Sequence, residues 1–507
     1  MTFFKIFAMR KIIFTSLLLL SAFYGKSQIT SSTFLPHLDF ATDANDVPMA
    51  VAIKDLDGDN KPEIVVVNFY GPGISVYRNT TTSGIMDASS FAAQVDSTVP
   101  GNAGMVRLAD MDGDLKYDIV VASADQITIL RNTSTIGSIS FDSPVYLNQL
   151  SYANDGEMAL DDMNGDGKTD IIFLENILNN SVTTAYFSII TNNIQSPGSF
   201  TSASFNSRVD YQIGQYIQTV TTGDIDGDGK KDVIAALKDT ILISRNIATS
   251  TAIDANSFDT PDTLLGINAD DIDVYDMDLD GKNDLVISEV QTWLTLVRNN
   301  NTSGSIIASK FDGYAKFDLS GPTGTNPQRL TINDFDADGK PDVAIANSGP
   351  SVVSVLRNIS SPGSLTISSL GDTVNFVTPQ RANGMASADL DGDGRVDMVA
   401  VDGVNGIGSL FSIFQNNMGG VYTAISSSMA TTNLNVYPNP SSGLVYIQAA
   451  NNINKVSIVT VTGKECYTGL YNASNITIDL TNLTKGMYLL EVYTADGSNS
   501  VSKLSIE

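Results

Sequence analysis

The sequence predicts an all-β fold: a seven-bladed β-propeller with four-stranded blades, followed by a small β-sandwich. Three observations support this prediction. A nine-residue acidic motif recurs seven times, with start-to-start spacings of 55, 52, 62, 52, 58 and 55 residues. An apolar, β-branched run follows each copy at once, which is typical of a buried strand. No helical periodicity appears between the copies, so each repeat holds only short strands.

Each repeat contains four predicted strands. The first precedes the acidic motif, as in MAVAIKD before Asp57, and the second is the apolar run after it, as in IVVV. The third ends in a polar turn, as in ISVYRN up to Asn79, and the fourth often opens with a phenylalanine, such as Phe91 or Phe141. Radially repeated four-stranded sheets leave only short open edges. A β-solenoid is the alternative, but its coils are usually shorter than these repeats.

The two ends of the repeat region predict how the ring closes. Residues 34–41 (FLPHLDFA) look like a fourth strand but precede the first acidic motif. The last repeat, after Asn416, has only the short segment GVYTA at 420–424 in that place. We therefore expect the N-terminal strand to complete the last blade. The predicted propeller spans residues 29–425, a Ser/Thr-rich linker spans 426–432, and a separate domain spans 433–507.

The acidic motifs carry the chemistry of a cation site. Positions 1, 3, 5 and 9 offer carboxylates, and position 7 offers its backbone carbonyl while its ammonium points to solvent. Such an all-oxygen set suits Ca²⁺, and without a cation the carboxylates would repel one another. Position 6 is glycine in five copies, as a turn with positive φ requires. The predicted ligands are Asp55, Asp57, Asp59, Lys61, Glu63, Asp110, Asp112, Asp114, Lys116, Asp118, Asp162, Asn164, Asp166, Lys168, Asp170, Asp224, Asp226, Asp228, Lys230, Asp232, Asp276, Asp278, Asp280, Lys282, Asp284, Asp334, Asp336, Asp338, Lys340, Asp342, Asp389, Asp391, Asp393, Arg395 and Asp397.

These motifs resemble the calcium loops of integrin-like FG-GAP (VCBS) repeats. They share the EF-hand ligand positions 1, 3, 5 and 7, but the last ligand falls at position 9 and strands flank the loop. The resemblance implies up to seven structural Ca²⁺ ions, in loops that join the first two strands of each blade on one rim. Asn164 removes a charge from the third loop and Leu115 is a poor residue for positive φ at position 6 of the second, so we expect weaker binding there. Glu63 is long enough to bind in bidentate fashion.

Composition narrows the possible partners. The net charge is −27, and 27 of the 56 acidic residues lie in the seven motifs, so seven Ca²⁺ ions would bring the charge to −13. Nucleic acid and anionic membranes are therefore not expected as partners. The chain has one cysteine, Cys466, and one histidine, His37. These numbers exclude a disulfide framework and argue against a histidine zinc site or a Ser-His-Asp triad.

The two ends of the chain predict export. Lys5, Arg10 and Lys11 precede a short apolar run at 12–23, which is typical of a signal peptide covering residues 1–28. No other stretch is long and apolar enough to be a transmembrane span. The motifs VYPNPSSG (436–443), VTGKE (461–465), LTKGMYLLEVY (483–493) and the terminal SKLSIE resemble the type A sorting domain of the Bacteroidetes type IX secretion system. That resemblance implies the type IX machinery as a partner and a secreted or cell-surface location outside a Gram-negative outer membrane.

The sequence favours a monomeric surface module that binds a glycan or a protein, as in adhesion, and not an enzyme. The alternatives are a polysaccharide-degrading propeller, a lyase or a glycosidase, and a structural component of the envelope or matrix. His37 is expected to be an ordinary surface residue and Trp293 a core residue. The acidic residues outside the motifs, including Glu157 and Asp271, are scattered in sequence without the paired arrangement of a glycosidase.

Overall fold

The computed structural model describes residues 28–43, 46–82, 84, 86–124, 126–147, 157–179, 182–319, 326–404, 407–418, 435–437, 439, 441, 443–460, 465–483, 485–494 and 499–506. The chain divides into two compact units, Met1–Met418 and Gly419–Glu507. The predicted signal peptide up to residue 27, the segment 420–424 and the linker 426–432 lie outside the described residues. Within the described residues, no helix has the length and apolar character needed to cross a membrane.

The first unit consists of seven antiparallel four-stranded sheets, which confirms the predicted propeller. In chain order β1 (Leu38–Ala41) comes first and belongs to blade 7. Blades 1 to 3 comprise β2 (Pro48–Lys54), β3 (Glu63–Asn68), β4 (Gly73–Tyr77), β5 (Val95–Thr98), β6 (Ala103–Ala109), β7 (Asp118–Ser123), β8 (Ile127–Leu130), β9 (Val145–Leu147), β10 (Met158–Asp161), β11 (Asp170–Asn179), β12 (Val182–Ile190) and β13 (Val209–Gly214). Blades 4 to 6 comprise β14 (Ile217–Gly223), β15 (Asp232–Leu237), β16 (Thr240–Ser244), β17 (Asp262–Leu265), β18 (Ala269–Tyr275), β19 (Asp284–Glu289), β20 (Trp293–Asn299), β21 (Phe311–Asp318), β22 (Pro327–Asn333), β23 (Asp342–Asn347), β24 (Val352–Leu356) and β25 (Val374–Val377). Blade 7 contains β26 (Ala382–Ala388), β27 (Asp397–Val404) and β28 (Ile407–Phe414), and two short 3-10 turns lie at Ser202–Ser204 and Ala308–Lys310.

The order of strands within a blade follows from burial. The first strands of neighbouring blades contact one another around the ring, and β2 contacts β26 to close the circle. The second strands, such as β3 and β7, are buried along their whole length. Because each is flanked by a blade on both sides, it needs apolar side chains on both faces, which explains the continuous apolar runs. Fourth strands such as β5 alternate between half-buried and exposed residues, as expected at the outer edge.

The hydrophobic core lies between the faces of adjacent blades. One cluster joins Val51 and Val66 of blade 1 to Val399 and Phe411 of blade 7. Another joins residues of blades 6 and 7, including Phe335, to the N-terminal Phe34. Stability of the ring therefore depends on contacts between blades as much as on hydrogen bonds within them.

The N-terminal segment completes the last blade, as predicted. β1 pairs antiparallel with β28, with Leu38 opposite Ile413. Phe34 forms a bridge to Asn416, just as Phe91 does to Asn79 in blade 1. The chain thus uses residues from its beginning and its end to build one sheet, which leaves no open edge where the ring closes.

The second unit is a β-rich domain with five strands among its described residues. They are β29 (Asn435–Tyr437), β30 (Leu444–Thr460), β31 (Glu465–Asp479), β32 (Gly486–Thr494) and β33 (Asn499–Ile506), paired in the order β29–β30–β32–β33 with β31 also on β30. The long β30 pairs with β29 near its start and with β32 after Ile453. Apolar side chains that include Ile447, Val456 and Leu490 form its core.

Candidate metal centre

All seven acidic motifs lie on one face of the propeller. Each forms the loop between the first and second strands of its blade, as β2 and β3 show on either side of residues 55–63. Because strands alternate in direction, the turns between second and third strands lie on the other side of the ring. We call these two sides the acidic-loop face and the opposite face, and number the acidic loops 1 to 7 by blade.

The backbone of every acidic loop is bent at two positions. Position 6 has a φ between 65° and 87° in all seven loops, including Asn60 and Leu115. Position 4 also has a positive φ in all seven, between 55° and 84°, although loops 5 and 6 have Leu279 and Ala337 there. The bends let the position 1 carboxylate accept the position 6 N–H at 2.8–2.9 Å in each loop. The sequence had indicated the bend at position 6 only.

The carboxylates at positions 1, 3 and 9 converge. In loops 1, 2, 4, 5 and 6 their oxygens lie within 4.8 Å of one another, a spacing at which one ion could be held. The position 5 carboxylate accepts the position 7 N–H at 2.9–3.1 Å in all seven loops. The predicted ligand types are therefore grouped, and an all-oxygen set of this kind fits Ca²⁺. Ligation by each residue stays a prediction.

The position 9 carboxylate is completely buried in every loop. One oxygen accepts the position 2 N–H at 2.7–3.0 Å. The other accepts the N–H of an asparagine at the end of the third strand at 2.7–3.3 Å. Burial raises the pKa of Glu63 to about 7 and the pKa of Asp342 to about 8. These groups therefore favour either a proton or a neighbouring cation.

Arginines cap the outer oxygens of positions 3 and 5, a feature that the sequence analysis missed. Arg245 donates from Nε to Asp226 at 2.6 Å and from a terminal nitrogen to Asp228 at 2.8 Å. The planar guanidinium suits such a pair of acceptors and fixes both carboxylates. The sequence signal for this cap is the arginine that immediately precedes the asparagine at the end of the third strand. The capping arginines are Arg131, Arg245, Arg298 and Arg357 in blades 2, 4, 5 and 6.

Blade 7 replaces the arginine cap with two other side chains. Gln415 donates to Asp391 at 2.5 Å, and the guanidinium of Arg395 contacts Asp393. The outer oxygens of the same two positions are again covered. Loop 7 thus has the same cap as loops 2, 4, 5 and 6, supplied by different residues.

Each acidic loop is also tied to the next blade. In loops 1, 2 and 4 a turn glycine of the next blade donates its N–H to the position 3 carboxylate, as Gly137 does to Asp57 at 2.8 Å and Gly304 to Asp226 at 2.9 Å. The strand-end asparagines donate from Nδ2, at 2.7–2.8 Å, to the position 2 carbonyl of the preceding loop in all seven blades. One of these bonds, from Asn79 to Leu390, joins blade 1 to blade 7. Ordering an acidic loop therefore also orders an interface between blades.

Two sequence interpretations are wrong. The position 7 ammonium does not point to solvent in loops 2, 4 and 6: Lys116 donates to the Ser134 carbonyl at 2.8 Å, Lys230 to the Ala248 carbonyl at 2.7 Å and Lys340 to the Ser360 carbonyl at 2.5 Å. Trp293 is not a core residue, since it is 37% exposed. It is the first residue of β20, at the turn on the opposite face, while Leu294 behind it is buried. Strand alternation alone did not reveal where the strand begins.

The centre of the ring holds an ion network that joins distant carboxylates. Arg329 of blade 6 contacts Glu157 of blade 3, and it lies 3.3 Å from an oxygen of Asp271 in blade 5. Thr219 also donates to Glu157 at 3.2 Å. A cavity of about 310 Å³ lies here and is lined by the first strands of all seven blades. Glu157 and Asp271, which looked scattered in sequence, thus meet in the fold as partners of one arginine.

Loop 2 offers a direct test of the backbone geometry. Leu115 has a φ of 70°, so its backbone conformation is strained, and it is 91% exposed, so its side chain makes little compensating contact. We expect Leu115→Gly to stabilise the calcium-loaded protein by about 1 kcal/mol and to tighten calcium binding by loop 2, because glycine adopts this φ without strain. Urea unfolding with saturating calcium measures the change.

The matched control is Asn60→Gly at the same position of loop 1. Asparagine tolerates a positive φ better than leucine, so we expect this control to change stability by only a few tenths of a kcal/mol. An equal effect of the two substitutions would contradict the idea that Leu115 strains its loop.

Models of two protein families match this chain. A model of the FG-GAP-like repeat matches residues 55–121, 110–173, 162–235, 276–345 and 334–400, which include all seven acidic loops. A model of the secretion system C-terminal sorting domain matches residues 435–507. No curated protein matches significantly. Among solved structures, the chain is similar to the crystal structure of BBS1N in complex with ARL6DN, soaked with mercury, with a TM-score of 0.44 and 11% identity over 77% of this chain and 98% of that one.

The sorting domain gives the destination of the chain. It indicates interaction with the type IX secretion machinery and export to the cell surface or the extracellular space. The repeat matches cover more than half of the sequence and coincide with the blades of the propeller. The chain therefore belongs to the FG-GAP-like repeat family, as a seven-bladed propeller that carries a C-terminal secretion sorting domain.

Proposed function

We propose that this protein is a calcium-binding propeller on the outer surface of a Gram-negative bacterium, where it binds a glycan or a protein and catalyses no reaction. One observation carries the proposal. In six of the seven loops the position 3 carboxylate is at most 5% exposed. A cation held among such side chains is shielded from substrate, so it acts on the fold and not on a reaction.

Two carboxylates at the ring centre and the histidine are engaged with other side chains. Glu157 and Asp271 share Arg329, which ties three blades together across the ring. His37 lies beside the closing strand, where its Nδ1 is 2.7 Å from Asp39. A lyase or glycosidase needs an acid and a base aimed at the substrate, and paired groups of this kind favour a structural role.

Exposed aromatic side chains on the opposite face support a binding role. Tyr70 lies in the turn between β3 and β4, Tyr216 lies between blades 3 and 4, and Trp293 begins β20. Tyr216 also has a positive φ of 56°, which is strained for a bulky residue. Aromatic rings stack on sugars and anchor protein partners, so their exposure on a rigid ring fits recognition.

A glycan array with calcium and with a chelator tests this function. We expect the exported protein to bind a subset of glycans with calcium and to lose them with the chelator, because calcium holds the ring in its binding form. Incubation of the same protein with pectin, alginate and ulvan should leave their chain lengths unchanged. Depolymerisation of any of the three would favour the enzyme instead, and a blank array with retained cell-wall association would favour a structural matrix role.

A further inference from the structure

Acidic loop 3 lacks the cap found on its neighbours. Its position 3 is Asn164 where the other loops have aspartate, and Thr191 stands where blades 2, 4, 5 and 6 have the capping arginine. Blade 4, which follows it, has Thr251 where four other blades have a turn glycine five residues after the strand-end asparagine. Three positions around the loop have thus changed together, and exchanging an Asp–Arg pair for Asn and Thr leaves the local charge unchanged.

A cavity lies beside the uncapped loop. Asn164 is half-buried, whereas the position 3 residues of the other six loops are buried. A cavity of about 660 Å³ lies between loops 3 and 4, lined by Asn164, Lys230, Lys231, Thr249, Ser250 and Thr251. Its volume falls within the range of roughly 300–1,000 Å³ typical of ligand pockets.

Loop 3 keeps the oxygen set needed for a cation. Asn164 accepts the Asp166 N–H through Oδ1 at 2.9 Å, as Asp57 accepts the Asp59 N–H in loop 1 at 3.0 Å. The amide oxygen therefore occupies the place of a carboxylate oxygen, and the carboxylates of Asp162 and Asp170 remain. Amide and carboxylate oxygens both suit Ca²⁺. Loop 3 thus fits calcium while its position 3 faces the cavity.

The second feature of the cavity is a cationic side chain. Lys230 donates to the Ala248 carbonyl at 2.7 Å, and the structure gives its ammonium no carboxylate partner among the described residues. Lys231 lines the same cavity, and its ammonium lies 3.3 Å from Asp161. An ammonium whose charge is not neutralised by a carboxylate attracts an anionic group into the cavity.

We propose that this cavity binds the carboxylate of an acidic sugar in a uronic-acid glycan, held by Lys230 and by the calcium of loop 3. The inference rests on the binding function proposed above and assigns it a ligand class and a site on the acidic-loop face, apart from the exposed aromatic residues of the opposite face. The hydroxyls of Thr249, Ser250 and Thr251 and the amide of Asn164 hydrogen-bond a polyhydroxylated ligand. The cavity accommodates more than one sugar unit, while a single acidic side chain of a protein would fill only part of it. These features favour the glycan over an acidic peptide.

The test is calorimetric titration of the exported protein with tri-galacturonate, maltotriose and an aspartate-glycine hexapeptide, each with saturating calcium and with a chelator. We expect binding of tri-galacturonate only, and only with calcium. Lys230→Met should weaken that binding about tenfold or more, which corresponds to the loss of one charged contact. The double substitution Asn164→Asp, Thr191→Arg restores the cap and should abolish binding.

The matched control is Lys116→Met. Lys116 holds the same place in loop 2 and makes the same bond to a backbone carbonyl, but it does not line the cavity. Its removal carries the same structural cost and should leave tri-galacturonate binding within about twofold of the original. Circular dichroism and the melting temperature confirm that each variant is folded.

Several results would overturn the assignment. Equal effects of Lys230→Met and Lys116→Met, equal binding of maltotriose, or preferential binding of the hexapeptide would each show that the cavity is not an acidic-sugar site. If tri-galacturonate binding persists in both cavity variants, the site is wrong but the protein is still a glycan binder. If neither tri-galacturonate nor any array glycan or protein binds the original protein, the proposed function fails as well.

Discussion

Removal of calcium at a pH near 8 is expected to lower the melting temperature of the propeller by about 15 °C or more. A ligand at one hundred times its dissociation constant stabilises a fold by about 2.7 kcal/mol, so seven independent sites would contribute about 19 kcal/mol. At roughly 1–2 °C for each kcal/mol in a domain of this size, the shift is large. Three of the position 3 carboxylates are tied to the next blade, as Asp57 is by Gly137, so losing the ion also loosens the blade interfaces.

Calorimetry with a chelator measures this shift, and the same chelator already saturated with calcium is the control. The control should leave the melting temperature unchanged, because it cannot remove the ion. A melting temperature equally insensitive to the free chelator would contradict a structural role for calcium. It would mean that buried acidic loops are stable without a counter-ion.

Protonation of the buried carboxylates at low pH should partly replace calcium in stabilising the propeller. Burial raises the pKa of Asp118 and Asp232 to about 7 and that of Asp397 to about 8. A carboxyl whose pKa is higher in the folded state than in the unfolded chain binds its proton more tightly when folded. Its contribution to the stability of the folded state is complete below the pKa of the unfolded chain, near 4, and is lost as the pH rises through the pKa of the folded state. The calcium-free ring should therefore gain stability as the pH falls from about 8 toward 5.

The repeat made most of the fold predictable, because period, strand order and ring closure all follow from local patterns. The cap on the acidic loops was not predicted. Arg131 is 19 residues from Asp112, and only the pairing of β7 with β8 brings them together. The ion network at the ring centre was even harder to predict, because Arg329 and Glu157 are 172 residues apart in the sequence. A single sequence shows which residues repeat along the chain, but contacts across the ring join residues that do not repeat.

Acidic loop 3 shows a second limit on what the sequence alone predicts. From the sequence, Asn164 indicated only a weaker copy of the common site. The cavity beside the half-buried amide is lined in part by Thr249, Ser250 and Thr251 of the following blade, which lie far along the chain. An exception in a repeat becomes informative once its neighbours in space are known.

The N-terminal segment that closes the ring should contribute strongly to the stability of the protein. Phe34 is 4% exposed and meets Phe376 and Phe335 edge-on, with ring centroids 5.1 Å and 6.0 Å away. We expect Phe34→Ala to destabilise the protein by about 3–5 kcal/mol, because it removes a buried aromatic ring and leaves a cavity between blades 6 and 7. Urea unfolding with saturating calcium measures the loss.

Leu35→Ala is the matched control, since Leu35 is the next residue and is 38% exposed. Its substitution should change stability by about 0.5 kcal/mol or less. If the two changes have equal effects, the N-terminal segment lies on the ring without holding it closed. If only Phe34→Ala is costly, the closure depends on the one ring that stands where Phe91 stands in blade 1, supplied here from the opposite end of the repeat region.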